Sequence, residues 1–322
     1  MPTIEINKTQ ANEVISRNQA AASQIVNIAH PNIISANQAT FFACFDGTGN
    51  TLENVPSANF QRTNVAQLWK QYKLSDQRAG GYYAGPGTPG TITQSAWNQI
   101  AVTQQVHATA LNAYNDLVAC TDTWLSKNKK KIITVVISAF SRGVASAAIF
   151  SQMLHELGLI KENKVLIAPG QVSVSAGVLF DPVVTGVTES VAFAPSVANI
   201  VCLFALNEYR YMFPAADYRK EHGITTIYMQ GDHCDVGGGY DNGLGAITLQ
   251  AATDFIQKCG LSALADVPNN LKFACPEANK LVHTEGSLAS VEGRVTNWSA
   301  YRDFEANSQD LLPSTRIVHV VI

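Results

Sequence analysis

Short, continuously apolar runs recur along the chain, and each stops at a polar residue followed by a turn. Phe41-Phe42-Ala43-Cys44-Phe45 runs into Asp46-Gly47-Thr48-Gly49-Asn50. Ile132 to Ile137, six residues of which five are Ile or Val, leads into Ser138-Ala139-Phe140-Ser141-Arg142-Gly143. Val172 to Phe180 ends at Asp181-Pro182, and Ile224 to Met229 ends near Gly231-Asp232-His233. Runs of this length without polar alternation predict strands buried on both faces. A shorter one, Gly80 to Tyr83, closes on Gly85-Pro86-Gly87-Thr88.

Between these runs the period changes. Gln94 to Lys127 carries Ile100, Val106, Leu111, Tyr114, Leu117 and Val118 at helical spacing. Val144 to Leu157 predicts a second helix with Gly158 as its stop, and Leu244 to Cys259 a third ending at Gly260. Strands alternating with helices predict an α/β fold, a mostly parallel sheet with helices on both faces. Such sheets place their chemistry at the carboxyl ends of the strands, where Asp46, Ser141, Asp181 and His233 stand. Residues 1–38, rich in Asn, Gln, Ala and Ser, predict an N-terminal extension packed on the outside, with a weak helical pattern over 11–29. Residues 39–322 then form one catalytic domain, in which 187–213 and 261–300 are expected lid or cap segments. The apolar stretch Val191 to Leu206 contains Pro195, Ser196 and Asn199, and predicts a buried or membrane-facing segment rather than a span.

Composition narrows the partners. The 322 residues are 46% hydrophobic and 15% charged, which suits a sizeable packed core and excludes a disordered chain. A net charge of −3 provides no field to attract nucleic acid. The basic cluster Lys127 to Lys131 reads as a solvated lip ahead of a buried strand. Six cysteines without a CxxC pair suggest neither a zinc site nor a disulfide framework. The first fifty residues lack the pattern of a signal peptide.

A serine between a strong strand and a small-residue helix has the setting of a nucleophile elbow. Small residues two before and two after the serine, here Ala139 and Gly143, keep the sharp turn free of clashes. The bland alternative is a helix-capping serine, which needs neither Gly143 nor the alanine-rich turn behind it. A serine hydroxyl needs a base held by an acid. In the chain order Ser, acid, His, Asp181 is the candidate acid and His233 the candidate base, with His283 as the other candidate. His222 precedes a strand, at the wrong end, and His319 sits in an apolar terminal run. Backbone amides of Gly47, Thr48 and Arg142 are the candidate oxyanion donors. Asp46 is expected to brace its loop. Asp46, Asp235 and Asp241 leave a metal open as an alternative, although carboxylates near glycines are more often loop braces, and no metal or cofactor is expected.

Taken together the motifs resemble the α/β-hydrolase family that includes the type VI secretion phospholipase effectors. The resemblance rests on Phe45 to Asn50, Thr63-Asn64-Val65, Tyr82-Tyr83 with Gly85 to Thr88, and Ala139-Phe140-Ser141-Arg142-Gly143. Phe180 to Val183, Glu208, Arg210 and Phe213-Pro214, and above all Gly231 to Tyr240 continue it. It spans about residues 41 to 262 and departs from the family elbow by having Ala139 in place of glycine. The resemblance implies an α/β-hydrolase fold with a small cap, a Ser141–Asp181–His233 triad, and cleavage of acyl esters of membrane phospholipids. It further implies an antibacterial effector secreted by the type VI route without a signal peptide and acting in the periplasm of target cells. Partners implied are a membrane surface, a cognate immunity protein and a component of the secretion apparatus. A soluble small-molecule esterase and a non-catalytic binding module of hydrolase shape remain as rival readings.

Overall fold

The computed structural model describes residues 3–4, 6–32, 37–53, 60–74, 79–88, 99–210, 212–240, 243–274, 282–283, 301–305 and 308–311. At its centre lie six strands: β1 (Gln38–Phe45), β2 (Gly80–Tyr83), β3 (Ile132–Phe140), β4 (Ser173–Phe180), β5 (Ile200–Ala205) and β6 (Ile224–Met229). Their spatial order is β6-β5-β4-β3-β1-β2, and every neighbouring pair is parallel.

The period of two explains why these strands read as unbroken apolar runs. Along β1, Phe41, Ala43 and Phe45 join one core, while Phe42 and Cys44 join another on the opposite face. Helices α3 (Gln99–Lys127) and α4 (Gly143–Leu157) cover the first face. The second face is covered by α1 (Lys8–Asn27), α2 (Asn64–Tyr72) and α6 (Gly245–Lys258), with the short α5 (His233–Gly237) between β6 and α6. Each phenylalanine of β1 is fully buried, which contributes roughly 1.5–3 kcal/mol per side chain.

From β1 the chain moves outward to β2, then returns to place β3 on β1's other side and continues to β6. The strand order therefore reverses between β1 and β3. At such a switch point the loops leaving the two strands diverge and leave a crevice at the carboxyl ends. Those loops are Asp46-Gly47-Thr48 and Ser141-Arg142.

The stretch Val191 to Leu206 contains a strand: all six residues of β5 are buried between β4 and β6, so no membrane-facing role remains for them. Val187, Val191, Phe193 and Val197, in the first half of the expected cap over 187–213, are buried in the core under α3 and α4, while Thr188, Pro195 and Ala198 are exposed. In the other expected cap, over 261–300, Leu261, Leu264 and Val267 pack into the second-face core, while 275–281 and 284–300 fall outside the described residues. The N-terminal extension holds α1, which buries Ala11, Val14, Ala21 and Ile25 in that same core.

Candidate active site

Ser141 follows β3 directly, and its φ of 54° is the sharp, sterically disfavoured turn expected of an elbow. Its amide donates to the Phe180 carbonyl at 3.1 Å, and its carbonyl accepts from the Val144 amide at 3.1 Å as α4 begins. Gly143 is required by the closeness of that helix to β1. A Cβ there would lie 2.4 Å from the Phe45 carbonyl oxygen and 2.5 Å from that of Asp46. Ala139 belongs to β3 and is not among the positive-φ residues, so its position does not demand the family's glycine.

Asp181 closes β4 with φ 32° and is fully buried. Its Oδ2 lies 2.6 Å from His233 Nδ1, and its Oδ1 accepts the Ala205 amide at 2.9 Å. An ionised carboxylate can only accept, so Nδ1 carries the proton and Nε2 of the neutral ring is left as a base. Burial alone would raise the Asp181 pKa, but Arg302, His233 and the Ala205 amide outweigh it and hold the group at about 2. For His233, burial pushes the pKa below the ordinary histidine value against the upward pull of Asp181.

His233 opens α5. Asp232 caps that helix by accepting the Cys234 and Asp235 amides at 2.9 and 3.0 Å. Two phenylalanine rings pack against the imidazole. Phe140, the residue before the serine, has its ring centroid 4.5 Å away, and Phe213 meets the imidazole edge-on at 5.0 Å. Phe213 in turn lies under the Arg210 guanidinium at 3.4 Å, and Arg210 pairs with the buried Glu208 at 2.7 Å. Thus the Glu208, Arg210 and Phe213 pattern, to which the sequence assigned no role, forms one wall of the site.

The loop after β1 supplies another wall. Gly47 packs against the elbow so closely that a Cβ would lie 2.8 Å from Phe140 Cδ1 and 3.1 Å from Ser141 Cβ. Its amide, however, donates to Asp46 Oδ1 at 2.7 Å. Gly47 therefore serves by close approach, and Thr48 and Arg142 remain as the candidate oxyanion donors. The Arg142 side chain crosses the crevice, with Nε donating to the Thr185 carbonyl at 2.7 Å and Nη1 to Thr48 Oγ1 at 3.1 Å. Asp46 braces the loop as expected: it also accepts from the Thr63 and Tyr82 hydroxyls at 2.7 and 2.5 Å. Burial raises its pKa to about 6 against those hydrogen bonds.

His283, the other candidate base, is paired elsewhere. Its Nδ1 lies 2.6 Å from Asp235 Oδ1, its amide donates to Asp235 Oδ2 at 3.0 Å, and the Tyr240 ring stacks on it at 4.0 Å. Asp235 also accepts the Asp232 amide at 3.1 Å. Among the described residues no three His, Cys, Asp or Glu side chains group as a metal site. Asp241 and His319 lie outside the described residues. Arg302, which no local sequence signal marks, reaches both oxygens of Asp181 with its fork.

Residues 40–170 match the T6SS phospholipase effector Tle1-like catalytic domain. The resemblance read from the motifs holds over that stretch. The Tle1-like match covers β1, the Asp46 loop, the elbow and α4, and stops just before β4. Asp181 and His233 lie beyond it, so their pairing stands on the geometry above. No curated protein sequence matches the chain. Similar solved structures include the Tle1 effector bound to the VgrG spike of the type 6 secretion system, at 20% identity and TM-score 0.47. That likeness covers 63% of this chain and 51% of the other. An uncharacterized protein from Pseudomonas aeruginosa aligns at 16% identity and TM-score 0.49, over 87% of this chain and 53% of its own. Esterase PE8 aligns at 13% identity and TM-score 0.33, over 71% and 96%. The chain thus spans about half the length of the first two.

Proposed function

We propose that this chain is a serine ester hydrolase that cleaves acyl esters of membrane phospholipids, with Ser141, Asp181 and His233 as its triad. The observation that carries the reading is the 2.6 Å Asp181–His233 pair at the strand-order reversal, with the positive-φ Ser141 joined by its amide to the carbonyl of Phe180, the residue before Asp181. In this reading, His233 Nε2 takes the Ser141 proton as Oγ attacks the ester carbonyl. Asp181 holds Nδ1–H and stabilises the imidazolium, which then protonates the departing alcohol. Thr48 and Arg142 amides receive the oxyanion. Water, activated by the same imidazole, releases the fatty acid from Ser141.

The lipid substrate, the type VI route and an apparatus component as partner rest on the family match over residues 40–170. A cognate immunity protein and action in the periplasm of a target cell follow from the same reading. Phospholipid vesicles and a short soluble ester, each offered to the parent chain and to Ser141→Ala, test it. We expect fatty-acid release from vesicles by the parent only, with the variant folded and at least 10⁴-fold slower. Cleavage of the soluble ester alone replaces the lipid by a small-molecule substrate. An active Ser141→Ala variant, or a parent that a fluorophosphonate fails to label at Ser141, removes the serine mechanism.

A further inference from the structure

Asp181 is held from two sides, and the imidazole is only one of them. Arg302 Nη1 donates to Oδ1 at 3.1 Å and Nη2 to Oδ2 at 3.3 Å, so the guanidinium spans the carboxylate. The Arg302 side chain is only 2% exposed. Its fork is anchored in turn to the chain leaving β5: the Arg302 amide donates to the Leu206 carbonyl at 2.7 Å, and Nε to that of Glu208 at 3.3 Å. A planar, always-charged fork suits two-oxygen contact with a carboxylate, which a lysine cannot reproduce. A buried pair of this kind adds little stability over apolar residues of the same volume. Its geometry points instead to the orientation of Asp181.

We propose that Arg302 is a positioning residue of the triad: it sets the plane of the Asp181 carboxylate toward His233 Nδ1 and shares that carboxylate's charge with the imidazole. This rests on the reading of Ser141, Asp181 and His233 given above. The charged and titratable groups around the pair are Arg302 itself, Glu208 and Arg210 from the chain after β5, Cys202 on β5, and Asp232 and Asp235 at the start of α5. Among the described residues, Asp181 bonds one imidazole and one permanent cation. Arg210 is the cation that itself lowers the His233 pKa, whereas Arg302 acts on the ring through the carboxylate the two share, where a cation already in place disfavours the imidazolium. Removing Arg302 makes the imidazolium easier to form.

Arg302→Met and Arg302→Lys in the full chain test this, with two readouts. One is the titration of the His233 ring by NMR of labelled histidine, its signal assigned by its loss in His233→Gln. The other is the pH profile of kcat/KM on a short soluble ester. In Arg302→Met we expect the His233 midpoint to rise by about one pH unit, and the acid limb of the profile to move up with it. The rate should fall about tenfold or more as the carboxylate loses its orientation. Arg302→Lys keeps the charge without the fork, so its midpoint should stay near the parent's while its rate still falls. A folded Arg302→Met with an unmoved midpoint and acid limb overturns the proposal, even if it is slow. If the methionine variant does not fold, Arg302→Lys decides, and a parental rate there overturns it. A parent chain that hydrolyses no ester defeats the functional reading, and the His233 titration then still decides the effect of Arg302.

Discussion

Two of the three residues in the proposed triad adopt backbone conformations that L-residues avoid, Ser141 at φ 54° and Asp181 at φ 32°. Conformations of this kind cost about 1–3 kcal/mol each and persist only where the surroundings over-determine them. Here the glycines do so by letting backbone and rings press in. Gly237, at the end of α5, would place a Cβ 2.0 Å from Phe140 Cε2. Gly237→Ala must displace either the Phe140 ring or the helix that starts at His233. We expect about a hundredfold loss of kcat on a soluble ester, with the chain still folded by circular dichroism. A parental rate would show that the ring has room to move. The positions of Ser141, Asp181 and His233 were legible because each follows a strand that announces itself by composition. Arg302 was not. It stands 121 residues from Asp181 in a segment without periodicity, and nothing local distinguishes it from a surface arginine.

Strands were legible to the extent that their apolar runs were unbroken. β6 matches its expected bounds, whereas β3 extends through Phe140, past the buried Ser138, because its backbone keeps pairing with β1 and β4 beyond the apolar run. β5 was obscured by Pro195, Ser196 and Asn199 just upstream, which made a strand and its lead-in look like one irregular apolar segment. The five-residue α5 was hidden in its own glycines, since Gly237-Gly238-Gly239 reads as loop. Ala139, the departure from the family elbow, lies in ordinary strand conformation against β1 and β4. Restoring glycine there should therefore gain nothing. We expect Ala139→Gly to lower stability by about 0.5–1 kcal/mol in urea unfolding while leaving kcat unchanged. A rise in kcat would mean that the turn needs more freedom than the strand provides.

The α/β class follows from the alternation of elements alone, but the order of strands does not, because nothing in one sequence says that β3 returns to the inner side of β1. Nor was the part played by residues 1–38 legible. Their polar composition suggested an external extension, yet α1 lies on the sheet and its Asn18 is 1% exposed. The Asn18 side chain donates to the Gln230 carbonyl and accepts the Gln230 amide, both at 2.8 Å, just before the turn that delivers His233. Asn18→Ala leaves both backbone groups of Gln230 without that partner. We expect a loss of about 1–3 kcal/mol in urea unfolding together with a lower kcat, and a fall in stability alone would separate α1 from the site.

The Arg302 contact also has a consequence in time. A chain emerging from the ribosome at roughly 5–20 residues per second presents β4, β5 and α5 well before residue 302 is made. Serine, acid and histidine can then all be present while Asp181 still lacks the guanidinium that spans its two oxygens in the finished fold. The order of synthesis thus separates the presence of the proposed triad from its completion, and the final adjustment of the site waits for a segment made after all three of its residues.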